Sequence, residues 1–324
     1  MRLIKRASSV NSRTIWLWIT AVALLTACKP ASGTKPTSPA VSKEILIQLI
    51  EAEDTRTWNT GTERLFGHAN PNVRSRTALS AGRIGNASAI PRLIDLLKTD
   101  KSTEVSAMAA FALGEIESPA AAPSLIEALK YSPTLETLKL SDKKSIRAAA
   151  VEALGKIAAA LPERDAARER IGNAILDVLK EQKTARHVHH DVIAKALPAA
   201  VRARPSGAAA VIAMYLEDWD DPEVLDALAQ LRAKESLGRV RELLATSGTP
   251  LTRANAARVL GAVVDASAVG LLEKAIATDE NSETRIESIR ALGAIAQKRS
   301  AALDSARLAR IGLGRAAGIF RRAV

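Results

Sequence analysis

The sequence predicts an all-α chain assembled from repeated helix pairs, and three observations carry that prediction. Alanine is abundant while aromatics make up 3% of the 324 residues, and no long Val/Ile/Thr/Tyr alternation bounded by turns signals a strand. A block centred on a glycine recurs at a spacing of 32 residues, from Gly82 to Gly114 and again from Gly261 to Gly293. Around each glycine, apolar residues fall four before, one before and two after, which is one face of a helix.

The chain opens differently. Residues 1–13 carry Arg2, Lys5, Arg6 and Arg13, and residues 14–25 (TIWLWITAVALL) are apolar. Such a run is short for a membrane span and suits the apolar region of a secretory signal peptide. Leu25, Thr26, Ala27 and Cys28 follow, and Cys28 is the only cysteine. This tetrapeptide resembles the bacterial lipobox, L-x-[A/G/S]-C. The resemblance implies that residues 1–27 are a lipoprotein signal peptide, that the Cys28 thiol is acylated, and that the mature chain begins there. The alternative is an ordinary membrane anchor with an incidental cysteine; it is disfavoured because basic segment, apolar run, lipobox and cysteine fall in register. Residues 28–42, rich in Pro, Ser and Thr, read as an extended tether. Lys29 follows the cysteine where an Asp in Gram-negative lipoproteins tends to mean inner-membrane retention, so the resemblance leans to the periplasmic side of the outer membrane. A lone cysteine excludes an internal disulfide, and its acylation excludes thiol catalysis.

The net charge is +11, and without residues 1–27 the balance is 42 basic against 35 acidic residues. Such a surplus could serve anionic lipid, nucleic acid or an acidic partner, but scattered Lys and Arg on helix surfaces is the favoured reading.

Residues 43–300 read as the repeat region. Residues 43–66 predict an N-terminal cap in which Ile45, Ile47, Leu49 and Ile50 seal the first repeat. TALSAGRIGNASAIPRLIDLLK (77–98) then aligns with AAFALGEIESPAAAPSLIEALK (109–130). Gly155 stands in the glycine column 41 residues after Gly114, Ala229 stands 32 before Gly261, and Pro198 is taken as a degenerate member. The column four before the glycine holds Ala78, Ala110, Val151, Leu225, Ala257 and Ile289, which predicts a buried helix face. The second helix of a unit shows the same periodicity in Ile90, Leu93, Ile94 and Leu97 and in Ala122, Leu125, Ile126 and Leu129. Ser118-Pro119 reads as a cap with proline at the first helical position, and Asp221-Pro222 reads likewise.

A glycine inside a helix costs about 1 kcal/mol relative to alanine, so its recurrence predicts close approach between neighbouring helices. Eight residues before the glycine stand Arg74, Arg147, Arg253 and Arg285, with Ser106 in the second unit. These predict pairing with acids or helix C-termini of adjacent units; the other reading is a basic stripe for an anionic ligand. Residues 131–141 and 161–170 are insertions, expected at loops or edges, often at the binding face. Residues 301–324 read as a basic terminal helix or an incomplete cap.

The pattern R-x-x-A-x-x-A-L-G-x-I followed by A-x-x-x-L-(I)-x-x-L is similar to HEAT-like repeats of the phycobilisome-lyase type, over about residues 60–300. That resemblance implies an α-solenoid of about seven stacked antiparallel helix pairs with one long concave face. It does not imply one activity, since such repeats occur in phycobilin lyases, deoxyhypusine hydroxylases, DNA-base glycosylases and many scaffolds.

Chemistry is thin. The histidines are His68, His187, His189 and His190, and only ARHVHHDV (185–192) clusters them. On a helix His187 would share a face with His190 and Asp191, a weak candidate metal site; His190 also falls in the arginine column if Pro198 is the glycine equivalent. No His-Glu dipeptide of the hydroxylase type occurs, nor a G-x-S-x-G elbow, a P-loop or H-E-x-x-H, so no cofactor is expected. Trp219, within LEDWDD, reads as a packing anchor. Nucleic acid is not expected as a partner, because the export signal removes the chain from it and base-stacking aromatics are few. The sequence therefore points to a membrane-anchored envelope lipoprotein that binds an unknown protein or peptide through the concave face without catalysis. The alternatives are an accessory repeat domain of a longer envelope peptidyl-prolyl isomerase, of whose barrel nothing is present in these residues, and a lyase-like enzyme using the concave face.

Overall fold

The computed structural model describes residues 40–130, 140–186 and 188–310, without the side chains of 140–145 and 303–310. All of these belong to one compact unit beginning at Ala40. The signal-peptide, lipobox and Cys28 readings, the tether as far as Pro39, most of the 131–141 insertion and the tail from Ile311 lie outside the described residues.

The described residues contain helices and no strand. An entry helix α1 (Lys43–Asp54) and a short α2 (Thr60–Arg64) precede the repeats. The first helices of successive units are α3 (Pro71–Ile84), α5 (Thr103–Ile116), α7 (Leu140–Ala160), α9 (His190–Ala203), α11 (Pro222–Leu231), α13 (Pro250–Val263) and α15 (Ser282–Arg310). Between them run the second helices α4 (Ile90–Thr99), α6 (Ala122–Leu129), α8 (Ala166–Thr184), α10 (Ala208–Ala213), α12 (Leu237–Thr246) and α14 (Val269–Thr278).

Local chemistry sets the boundaries. Asn70 and Asp221 each accept a backbone N–H two residues on, and Pro71 and Pro222 follow at the first helical position, where a missing N–H is harmless. Ser118 departs from its reading: its side chain makes no cap hydrogen bond, and Pro119 opens a 3-10 turn ahead of α6. At the other end, several first helices stop three residues after the column position on a left-handed residue: Gly85, Glu117, Arg204, Arg232 and Val264. This turn returns the chain for the second helix.

The apolar columns form the core. Leu93, Leu113, Leu125, Leu154, Ile157 and Leu260 are fully buried. The column glycines bring successive first helices into backbone contact. A Cβ on Gly82 would lie 2.9 Å from Ala112 Cα, and one on Gly114 would lie 2.6 Å from Ala153 Cα. Gly155 meets Ala199 and Gly261 meets Ala291 in the same way. First helices therefore pack closely on one another, whereas successive second helices touch sparsely. A stack spaced more tightly in one layer bends toward that layer, so the first helices line the inner side of the curve.

The lengthened third unit is structural. Asp165 caps α8 by accepting from Ala167 N at 2.7 Å, and Arg168 donates to the carbonyls of Leu161, Arg202 and Ala203 at 2.7, 2.7 and 3.0 Å. It thereby satisfies carbonyls at the C-terminal end of α9, which no helical N–H reaches. Residues 161–170 thus clamp the neighbouring unit. In the N-terminal helix, Leu49 is buried on α3, but Ile47 and Ile50 face solvent, so two of the four isoleucine and leucine positions expected to seal the first repeat do not. Glu53 performs part of that sealing: it accepts from Arg76 and Ser80 and, at 3.0 Å, from Arg83, all on α3.

Candidate functional site

The repeat changes character at α9. In the neighbouring units, the alanine that meets the preceding glycine stands two residues before its own column position, and the left-handed turn stands three after it. In α9 those markers are Ala199 and Arg204. The column position is therefore Val201, not Pro198, and the arginine column falls on buried Ile193 rather than on His190. A branched side chain now stands where closely packed units have glycine. The consequence is graded: helix pairs with a column glycine pack intimately, the α11–α13 pair with Ala229 less so, and the α9–α11 pair with Val201 least.

The gap so opened is a groove of about 410 Å³ on the inner layer, between α9, α11 and α13. Its size is in the usual range for a ligand site. Leu197, Val201, Ala227 and Leu251 give it apolar walls, and Leu251 is 53% exposed. Pro198 stands inside α9 on the same wall. Having no N–H, it leaves the carbonyl of Ala194, another wall residue, without its helical donor. Asn255 donates from Nδ2 to the Pro222 carbonyl at 2.9 Å, and its buried Oδ1 has no hydrogen-bond partner. The rim holds Glu223 and Asp226, and Asp226 accepts from Arg258 at 3.0 Å and from Gln230 at 2.7 Å. The groove thus offers apolar walls with unfilled acceptors, the combination an extended peptide satisfies with side chains and backbone N–H groups.

Arg258 links this groove to a second hollow of about 590 Å³ between α13 and α15. Its floor is Gly261, Ala262, Ala291 and Ala294, and cations Arg232, Arg258, Arg290 and Lys298 surround it. Glu287, 4% exposed, accepts from Arg258 at 3.4 Å and from Arg290 at 2.5 Å. Arg232 and Lys298 have no ion-pair partner among the described residues. Toward the N-terminus the same face is self-neutralised. Lys156 bridges Glu115 and Glu152 at 2.6 and 3.2 Å, Lys195 reaches Glu152 at 2.8 Å, and the Lys156 ammonium lies 4.2 Å from the centre of the Phe111 ring. Burial opposes ionisation of Glu152, yet the two lysines hold its carboxyl below the usual range.

The family comparison agrees with this architecture. The family model of HEAT repeats matches residues 62–139 and 239–308. The chain is a HEAT-like repeat protein. Among solved structures it is similar to human deoxyhypusine hydroxylase in complex with glycerol, at 18% identity and a TM-score of 0.32, over 78% of this chain and 99% of that one. It is also similar to an engineered protein solved by a structural genomics consortium, at 23% identity and a TM-score of 0.38, over 74% and 99% of the two chains. No curated protein matches it.

In this HEAT-repeat stack the arginine column is occupied with holding units together. Arg74 grips both oxygens of Asp100 at 2.7 and 2.8 Å and donates to the His68 and Ala69 carbonyls. Arg253 does the same with Asp279 and the Ser247 carbonyl. Arg147 pairs with Glu181, and Arg285 donates to the carbonyls of Asp279 and Glu280. Arg253 thus joins the ends of α12 and α14, Arg74 joins the turn before α3 to the end of α4, Arg147 and Arg285 each hold the end of one second helix, and Ser106 substitutes by donating to the Leu96 carbonyl at 3.0 Å. Gly293 differs from the other column glycines: among the described residues nothing lies within 4 Å of its missing Cβ.

Of the histidine cluster, the described residues include His189 and His190. The helix α9 begins at His190, and His187 lies outside the described residues. His190 stacks on Trp219 with ring centroids 5.3 Å apart, and Asp191 is exposed. No group of three metal-ligating side chains converges among the described residues. Trp219 packs on Tyr215 at 5.1 Å, whose hydroxyl donates to the Leu179 carbonyl at 2.7 Å. Burial pushes the pKa of that hydroxyl up to about 12. The groove itself escaped sequence reasoning; its one signal was Val201, misread because the proline three residues earlier looked like the irregularity.

Proposed function

We propose that this HEAT-repeat chain is a non-catalytic binding scaffold of the bacterial envelope that takes an extended peptide segment of a protein partner into the α9–α11–α13 groove. The observation that carries the reading is the groove itself: the one place where the column residue is branched is also where an apolar opening and an unpartnered buried acceptor, Asn255 Oδ1, coincide. A buried acceptor without a partner costs about 1–3 kcal/mol, and a turn of the Asn255 amide toward the groove lets a peptide N–H supply what it lacks. Lipid on Cys28 holds the scaffold at the membrane, favouring the outer membrane's periplasmic side; the sequence alone supports this part.

Crosslinking in intact cells, followed by purification of the full chain, tests the binding reading. Wild type yields a protein adduct, and Leu251→Lys or Asn255→Leu lowers its yield about tenfold, the effect of losing roughly 1.4 kcal/mol. Equal yield from both variants sinks the groove, and no adduct at all sinks the scaffold. For the anchor, Cys28→Ser abolishes palmitate labelling; label that persists in the mutant refutes lipidation.

A further inference from the structure

The two ends of the repeat stack differ from its interior in a related way. At the C-terminal end, α15 exposes Ser282, Ile286, Ile289, Gly293, Ala296 and Ser300, a single stripe at alternating steps of four and three. Ile289 is 55% exposed, although the same column in earlier units, at Ala78, Ala110, Val151, Leu225 and Ala257, is 0% exposed. Ile286 is 42% exposed, and among the described residues Gly293 leaves an open hollow where each earlier column glycine receives the next first helix.

At the N-terminal end, α1 lies against α3 in the place a preceding first helix would occupy, with Glu53 on Ser80, the residue two before the column glycine. Its outer stripe is Lys43, Ile47, Ile50 and Asp54, with Ile47 and Ile50 45% and 47% exposed. The exposed charges also differ in sign. Those of α1 are Glu44, Glu51 and Asp54 against Lys43, whereas α15 exposes Arg290, Lys298 and Arg299 against Glu283 as far as Ala302.

We infer that these edges are the two halves of one interface, so that α15 of one copy receives α1 of a second copy head to tail and continues the inner layer across the junction. Ile47 or Ile50 enters the hollow at Gly293, which relieves exposed apolar area on both sides, and the opposite charges set polarity. Two different surfaces meet, so the contact is heterologous and repeats along a row of chains. It uses neither the groove nor the lipid, and stands or fails independently of the scaffold reading.

Full-length protein in detergent carrying Ile47→Cys, Ile289→Cys or both is treated with a short bis-maleimide, with wild type, whose one cysteine is Cys28, as background. Head-to-tail docking predicts that neither single variant rises above background. Mixing the two gives a dimer, and the double variant gives a ladder of dimer, trimer and higher species. Adding Glu44→Lys and Glu51→Lys lowers the ladder about fivefold through rim-charge repulsion, with helicity unchanged by circular dichroism. Dimers from Ile289→Cys alone mean a symmetric α15–α15 contact and overturn the proposal. No ladder overturns it too, as does a ladder that appears only after residues 311–324 are deleted, which makes that segment the occupant.

Discussion

Replacing glycine by alanine at two positions of one column gives opposite results if the close approach of helices is the reason for the glycine. The intrinsic gain is about 1 kcal/mol at any helix interior. At Gly114 the new Cβ would stand 2.6 Å from Ala153 Cα and 2.8 Å from its Cβ, and the obstacle is largely backbone. Carbon atoms pack at about 3.5–4.0 Å, so α5 and α7 must separate by about 1 Å along their shared length. Overpacking of this kind costs about 1–3 kcal/mol, and a backbone obstacle places it at the upper end, for a net loss of about 1–2 kcal/mol. At Gly293 no atom of the described residues lies within 4 Å, so Gly293→Ala keeps the gain of about 1 kcal/mol. Thermal unfolding followed by far-ultraviolet circular dichroism reads the sign: Gly114→Ala lowers the midpoint by about 3–6 °C and Gly293→Ala raises it by about 2–4 °C. Shifts of the same sign refute the argument, because propensity alone then explains both positions.

Three further outcomes follow from named contacts. Burial opposes ionisation of Glu53, but hydrogen bonds from Arg76, Ser80 and Arg83 bring its pKa from 4.5 down to about 2. Screened by solvent, this depressed value contributes on the order of 1–2 kcal/mol of stability that is present above pH 4.5 and is lost as pH falls toward 2, and Glu53→Gln removes that part of the acid transition in a pH titration of unfolding. Asp100→Asn leaves Arg74, whose side chain is 15% exposed, without its bidentate partner; urea unfolding is expected to show a loss of about 2–3 kcal/mol, while an unchanged midpoint contradicts a joining role. Glu117 holds φ 55 on an exposed turn, so Glu117→Gly removes left-handed strain and raises stability by about 0.5–1 kcal/mol in the same assay.

Most of the architecture was legible in the chain because it rests on short-range rules repeated many times. Helical spacing of Leu93 and Leu97 or of Leu125 and Leu129 needs no knowledge of partners, and the recurrence of Gly82, Gly114, Gly261 and Gly293 already announces close packing. The lipobox residues are likewise a purely sequential signal. What the sequence left open depends on partners far along the chain. VIAKALPAAVRARP admits two registers, and only the seating of Ala199 on Gly155 selects Val201 as the column residue and so opens the groove. The stacking of the His190 ring on Trp219 likewise depends on a residue distant in the chain, which no local spacing announces. Ile289 belongs by pattern to a buried column, yet burial is a property of the helix that covers it, and among the described residues none does. Periodicity determines which face of a helix is apolar; only the assembled stack decides whether that face meets another helix or water, because burial is fixed by contacts between segments and not by the segment itself.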